Sequence, residues 1–321
     1  MTPTAVHATD SVDPQYEPAL SVTIGDLTLA SLVMPASGCF GPELGRLISV
    51  EEIGASVTKT VFAEQRGGNP IDRVSELPVG MINSVGIPSY GASGYLSGLR
   101  EEYAELGVPS IVSVGGHRVT EYAPLVEAIG DGNASAFELN VSCPNLDAQG
   151  ADIGADPHNV AQVVQAVRRV TTRPILVKMP SMLSSIADCA IAAEAAGADA
   201  VCVANSVPVL PLHERERRFA LGNRIGGLSG PSIKPIVSRH VWLSAQAVSI
   251  PVVACGGVSN ADDALDYLAL GAKAVQVGTA NFGNPMAMVQ IARDLRARVQ
   301  RAGAETLPAL LRMERPDVYR P

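Results

Sequence analysis

Short apolar runs alternate with amphipathic stretches along the whole chain. Eight of the runs read as strands: Leu32–Ser37, Ser56–Phe62, Ser110–Val114, Ala136–Ser142, Ile175–Met179, Ala200–Ala204, Pro251–Cys255 and Ala274–Gly278. Most are continuously apolar rather than alternating, which is the pattern of parallel strands covered on both faces. Between them, Thr120–Ile129, His158–Thr171, Ser185–Ala196, Ser232–Ala247, Asn260–Leu270 and Pro285–Arg301 carry helical periodicity. Asn260-Ala261-Asp262-Asp263 supplies an N-cap followed by acids that favour the helix dipole. Gly197 and Gly271 stand at C-cap positions. Eight strands with intervening helices predict an α/β fold, a (β/α)8 TIM barrel. Val22–Leu29 reads as a hairpin turning at Gly25-Asp26, placed to cover the barrel bottom before the first strand. Two connections are long and read as insertions at the C-terminal face. Residues 63–109 hold few regular patterns, and 207–227 carry the charge run His213-Glu214-Arg215-Glu216-Arg217-Arg218. Such a run is usually a solvated face.

Composition narrows this picture. The chain has 321 residues, 47% of them hydrophobic but only 4% aromatic, so its core rests on Ala, Val, Ile and Leu. That length suits a single α/β barrel. The net charge of −8 argues against a nucleic-acid partner, which would call for a basic field. The five cysteines, Cys39, Cys143, Cys189, Cys202 and Cys255, show no metal or disulfide spacing. Reduced thiols in apolar surroundings fit the cytoplasm. No apolar run approaches a membrane span. Residues 1–20 form a polar arm with no apolar signal core, expected to be flexible, and 21–321 read as one barrel domain.

Candidate chemistry collects at strand ends. Asn140-Val141-Ser142-Cys143-Pro144-Asn145 follows the run Ala136–Leu139 and presents a thiol between carboxamides. Pro144 stops the strand because it has no N–H for the ladder. Taken singly, a cysteine is more often a small buried hydrophobe, but buried amides need partners, and here they cluster. Lys59 and Lys178 are two of only four lysines, and both lie inside apolar runs. A buried ion pair or a snorkelling stem is the plainer reading of each. Their position near strand C-termini favours function, because barrel active sites form there. The other polar ends are Ser37-Gly38, Thr60, Ser113 and Asn205-Ser206, then Gly256-Gly257 and Gly278-Thr279 after the last two strands. Glycines at those two ends mark the usual phosphate site of this fold and point to a phosphorylated cofactor. No Rossmann fingerprint is present, which argues against NAD binding by this chain.

Asn140–Asn145 resembles the catalytic segment of class 1 dihydroorotate dehydrogenases. So do Pro35–Gly41, Thr58-Lys59-Thr60, Gly80–Gly86, Val177–Pro180, Gly226–Pro231, Cys255–Val258 and Val277–Phe282, in family order. The resemblance implies FMN as cofactor. By similarity, Ala36, Ser37 and Gly38 back the flavin ring, and Lys178 lies at its N1/O2 edge. Lys59, Thr60, Ser113, Asn140, Ser206, Gly230, Gly256, Gly257, Gly278 and Thr279 complete the cofactor site. Ser113 stands where family members commonly have Asn. Asn83, Asn140, Asn145 and Asn205, with Lys59 and Ser206, would hold dihydroorotate. Cys143 would act as general base at C5, with Lys59 assisting in catalysis, while the C6 hydride passes to flavin N5. An unperturbed thiol has a pKa of about 8.5, so nearby cations or polar groups must favour the thiolate. Ser142 reads as structural.

Residues 146–156 resemble a mobile lid with Gly150 and Gly154 as hinges, and 207–224 diverge from the family. Pro35–Gly41 is closer to the class 1B branch. That branch pairs with an iron–sulfur flavoprotein subunit and passes electrons to NAD. A homodimer using another acceptor, such as fumarate, is the other assembly the resemblance allows. Three further readings compete: an FMN-dependent reductase of a related dihydropyrimidine or enone, a tRNA-dihydrouridine synthase, and a non-catalytic flavin-binding subunit. The first commonly has His in place of Asn145. The second should show a basic face and a C-terminal RNA-binding domain.

Overall fold

The computed structural model describes residues 20–142, 153–182, 185–213 and 216–319. The chain enters through a hairpin of β1 (Val22–Ile24) and β2 (Leu27–Leu29), paired antiparallel. Gly25 makes its turn at φ +59°, a conformation that glycine adopts without strain. A Cβ at Gly25 would fall 3.0 Å from Asp199 Oδ1 and 3.1 Å from Pro174 Cγ. Both residues immediately precede barrel strands, so the hairpin lies on the barrel floor, with Ile24 and Leu29 fully buried beneath it.

Next come β3 (Val33–Pro35) and β4 (Ser56–Val57), and then the first long excursion, which supplies β5 (Val74–Leu77) and β6 (Gly80–Asn83). The barrel resumes with β7 (Ser110–Gly115), β8 (Ala136–Asn140), β9 (Ile175–Lys178) and β10 (Ala200–Val203). The second excursion supplies β11 (Val207–Val209), β12 (Leu212–His213), β13 (Arg218–Phe219) and β14 (Gly226–Ser229). The barrel ends with β15 (Val252–Cys255) and β16 (Ala274–Val277). The eight-stranded sheet runs β3-β16-β15-β10-β9-β8-β7-β4, with every pairing parallel. Gly54 N–H donates to Val33 O at 2.8 Å and ties the two end strands together. All eight expected strands are present, so the (β/α)8 barrel holds.

Two expectations need correction. The run Ser56–Phe62 is not one continuous strand. β4 stops at Val57, and pairing with β7 resumes only at the Val61–Val114 bridge. Between them Thr58 Oγ1, not a main-chain carbonyl, accepts the Ser113 N–H at 3.0 Å. That substitution interrupts the ladder and re-aims Lys59, as irregularities beside active sites commonly do. Nor are residues 63–109 short of regular structure. They hold β5, β6 and a helical stretch from Gly91 to Ala104, whose middle turns, Tyr95–Leu99, are π-helical. β5 and β6 join β11 and β14 in a four-stranded antiparallel sheet of order β11-β14-β6-β5. Half of that sheet comes from each excursion, so neither segment could show it alone.

The expected helices form with ends shifted by up to three residues: Tyr122–Ile129, Pro157–Arg168, Ile186–Ala195, Lys234–Ala247, Ala261–Ala269 and Ala287–Arg301. A further helix, Leu307–Glu314, follows them. Asn260 caps its helix through Oδ1, which accepts the Asp263 N–H at 3.0 Å. Four of the cysteines, Cys39, Cys189, Cys202 and Cys255, are free thiols. Among the described residues no helix is long and apolar enough to cross a membrane.

Candidate active site

The C-terminal ends of the barrel strands bring together most of the polar residues singled out in the sequence. A continuous string of hydrogen bonds starts at Ser113. Its Oγ lies 3.0 Å from Thr60 Oγ1, which accepts Asn140 Nδ2 at 3.1 Å. Asn140 Oδ1 accepts the Ser142 hydroxyl at 2.7 Å, and Asn205 Nδ2 donates to Ser142 Oγ at 2.7 Å. Asn205 Oδ1 in turn takes the Ser206 N–H at 2.8 Å. Thr60, Ser113, Asn140 and Ser142 are all buried. Ser142 is the hub of this string. Its hydroxyl proton goes to Asn140 Oδ1.

Asn83 ends β6 and is in register with Gly227 of β14. A Cβ on Gly227 would fall 2.0 Å from Ser206 Oγ, so the small sheet carries Asn83 to the same mouth. Lys59 lies against Gly38, where a Cβ would meet Lys59 Cγ at 3.6 Å. Burial, opposed by Cys39 and aided by Arg73, pulls the Lys59 ammonium below the usual lysine range. Beside it is a cavity of 220 Å³ lined by Lys59, Thr60, Arg66, Ser89, Tyr90 and Tyr95, among others. Ala36 N–H donates to Val277 O at 2.8 Å, and a Cβ on Gly278 would lie 3.5 Å from Ala36 Cβ and Cys39 Sγ. Ser37 stands between Ala36 and Gly38, and its carbonyl faces the Cys39 thiol at 3.9 Å. Thr279 Oγ1 donates to Ser229 Oγ at 2.8 Å, and Gly230 adjoins Thr279 and Gly80.

Gly256 and Gly257 follow β15 at φ +119° and +75°. A Cβ on Gly257 would fall 2.8 Å from Lys234 Cβ, so the turn tolerates only glycine there. Two partly or fully buried cations, a ring of carboxamides and a glycine turn after β15 fit an anionic, planar ligand with a phosphate tail. Cys143, Asn145 and residues 146–152 of the lid lie outside the described residues, as do residues 1–19. Among the described residues, no group of three or more His, Cys, Asp or Glu side chains is placed to hold a metal ion.

Sequence reasoning missed the polar cluster inside the barrel. Lys178 Nζ donates to Gln276 Oε1 at 2.7 Å and to Cys255 Sγ at 3.2 Å. Gln276 Nε2 donates to Glu138 Oε2 at 2.7 Å, and Cys202 Sγ donates to Gln276 Oε1 at 3.2 Å. Glu138 and Gln276 have no exposed surface, and Lys178 is 3% exposed. Burial by itself would lower the Lys178 ammonium; the neighbouring Cys202, Cys255 and Glu138 outweigh it and raise it well above the usual lysine range. The Cys202 thiol and Lys178 together lower the Cys255 thiol, whereas burial pushes Cys39 up to about 12. The signal was present in the sequence: Glu138 and Gln276 each break an otherwise apolar strand.

The family model for dihydroorotate dehydrogenase matches residues 19–299. The chain belongs to the dihydroorotate dehydrogenase family. A relative from Trichlorobacter lovleyi, named dihydroorotate dehydrogenase B (NAD(+)), catalytic subunit, is 39% identical over 92% of this chain and 98% of its own length. Proteins of the same name from Desulforudis audaxviator and Halalkalibacterium halodurans are 39% and 38% identical. They cover 91% and 90% of this chain and 96% and 95% of their own lengths. The dihydroorotate dehydrogenase match thus spans the barrel strands, from the floor hairpin into the helix Ala287–Arg301.

Proposed function

We propose that this chain is the catalytic subunit of a class 1B-like dihydroorotate dehydrogenase that uses FMN. It is an oxidoreductase that oxidises (S)-dihydroorotate to orotate in pyrimidine biosynthesis, the activity its family and relatives carry. Flavin dependence is general in this family. The observation that supports the site is the convergence of Lys59, Asn83, Asn140, Asn205 and Lys178 on one end of the barrel.

In this reading, bound FMN would supply the acceptor for the hydride that leaves C6 of the substrate. The protein binds, orients and moves protons. Asn83, Asn140, Asn145 and Asn205 pair with the ring carbonyls and N–H groups, for which carboxamides have both donors and acceptors. Lys59 offsets the substrate carboxylate. Cys143 removes the C5 proton as general base. Ala36, Ser37, Gly38, Thr60, Ser113, Ser206 and Gly230 line the flavin, with Gly256, Gly257, Gly278 and Thr279 at its phosphate. Residues 21–321 act as one domain in the cytoplasm, paired as a homodimer and joined by an iron–sulfur flavoprotein subunit that passes electrons to NAD.

The test is an anaerobic titration of the FMN-loaded protein with dihydroorotate, following the oxidised flavin absorbance. Bleaching at stoichiometric substrate is expected. A flavin that dithionite reduces but dihydroorotate leaves oxidised would overturn the substrate assignment.

A further inference from the structure

The interior of a barrel is ordinarily filled by layers of apolar side chains. Here Glu138, Lys178, Cys202, Cys255 and Gln276 replace part of such a layer. Placing a carboxylate and an ammonium there is expensive unless each is paired. Glu138 and Lys178 are not bonded to each other in these contacts. Gln276 stands between them, on a different strand from either: Glu138 on β8, Lys178 on β9, Gln276 on β16.

The amide of Gln276 can face only one way. Its Oε1 receives two donors, Lys178 Nζ and the Cys202 thiol, and its Nε2 meets Glu138, an acceptor. Turned over, it would set an NH2 against an ammonium and a thiol, and a carbonyl oxygen against a carboxylate. Glu138 therefore fixes Gln276, and Gln276 fixes the direction of Lys178. The other Glu138 oxygen, Oε1, has no hydrogen-bond partner among the described residues, so the carboxylate's one strong contact is this one.

We propose that Gln276, locked by Glu138, is a positioning residue that holds the Lys178 ammonium at the flavin's pyrimidine edge. The inference rests on the FMN reading above. Gln276 acts through Lys178. Its removal lets the ammonium swing while both charges stay in place. A cation held beside the flavin stabilises the negative charge that reduction develops there, so loosening it lowers the reduction potential.

The measurement is the two-electron reduction potential of FMN bound to wild type, Gln276→Met, Gln276→Glu, Lys178→Met and the Lys178→Met/Gln276→Met double variant. Gln276→Met, apolar and of similar length, should shift the oxidised-to-reduced equilibrium at least tenfold, a fall of about 30 mV. The double variant should fall no further than Lys178→Met alone. Gln276→Glu should stay near wild type, because one proton shared with Glu138 preserves both the acceptor for Lys178 and the net charge. An unchanged potential in Gln276→Met, or additive falls in the double variant, would overturn the proposal. A crystal structure of the FMN-loaded wild type needs no variant to fold. Lys178 Nζ within hydrogen-bond distance of Gln276 Oε1 supports the relay, and Nζ turned away from it overturns it. Wild-type protein that binds no FMN would sink the cofactor reading and the relay together. FMN-loaded wild type with an unresponsive Gln276→Met would sink the relay alone.

Discussion

Lys178 shows how a single side chain joins stability to chemistry. It is buried, bonded to Gln276 and Cys255, and balanced by Glu138 two bonds of the network away. Removing one partner of a buried charge pair costs about 3 kcal/mol or more, because the other charge is left uncompensated. Lys178→Met should therefore lower the unfolding free energy by about that much, and Glu138→Gln in the same background should restore part of it. Chemical denaturation of the two variants checks this, and a double variant less stable than Lys178→Met would refute the pairing. Cys143 gives a cleaner functional test. Cys143→Ala should retain FMN and lose its reduction by dihydroorotate by at least 100-fold, as removal of a general base does. Near-normal reduction in a rapid-mixing experiment would show that another group takes the proton. The residues that carry this reading were legible in the sequence wherever a polar side chain ended an apolar run, as with Lys59, Asn140, Lys178 and Asn205. Glu138 and Gln276 were not recognised, because their meaning lies in contacts across strands far apart in sequence.

Among the elements, the interruption after β4 matters most. Thr58 Oγ1 takes the place of a main-chain carbonyl for Ser113 N–H, while Thr58 N–H still donates to Ile111 O at 3.0 Å and Val61 N–H to Ser113 O at 2.8 Å. The strand thus leaves the ladder for three residues and returns, with Lys59 at the centre of the gap. Thr58→Val keeps the shape but removes the acceptor and leaves a buried N–H unsatisfied, at a cost of about 1–3 kcal/mol. It should also weaken dihydroorotate binding, since Lys59 loses its fixed base. Urea melts and substrate titrations of the variant would show both effects, and a wild-type melt would mean the hydroxyl contributes nothing. The eight barrel strands were readable because each is a continuous apolar run closed by a polar residue. The four-stranded sheet was not. Its strands come from two excursions about 120 residues apart in the chain, are short, and are largely exposed on β5, so no single window carries their pattern.

Across the whole molecule, ion pairs fasten the last helix to the barrel wall. Asp262 accepts from Arg298 at 2.8 Å and Arg315 at 3.0 Å, Asp266 from Arg315 at 2.8 Å, and Glu314 from Arg298 at 3.1 Å. Hydrogen bonds from Arg298, opposed by partial burial and aided by Arg315, hold the Asp262 carboxyl down at about 2. A depressed carboxylate stabilises the fold above its ordinary pKa of 3.8 and loses that contribution as pH falls towards 2. Asp262 is largely exposed, so solvent screening limits the effect to about 1 kcal/mol. Asp262→Asn should lower the melting temperature by about 1–2 °C at neutral pH. The gap from wild type should close in acid, and calorimetry at several pH values checks the trend. The floor hairpin has a wider consequence. β1 and β2 lie across the base of the barrel, with Gly25 pressed on Pro174 and Asp199, so among the described residues that end is covered and the polar strand ends gather at the opposite one. On the proposed function, dihydroorotate would enter and orotate leave at that opposite end.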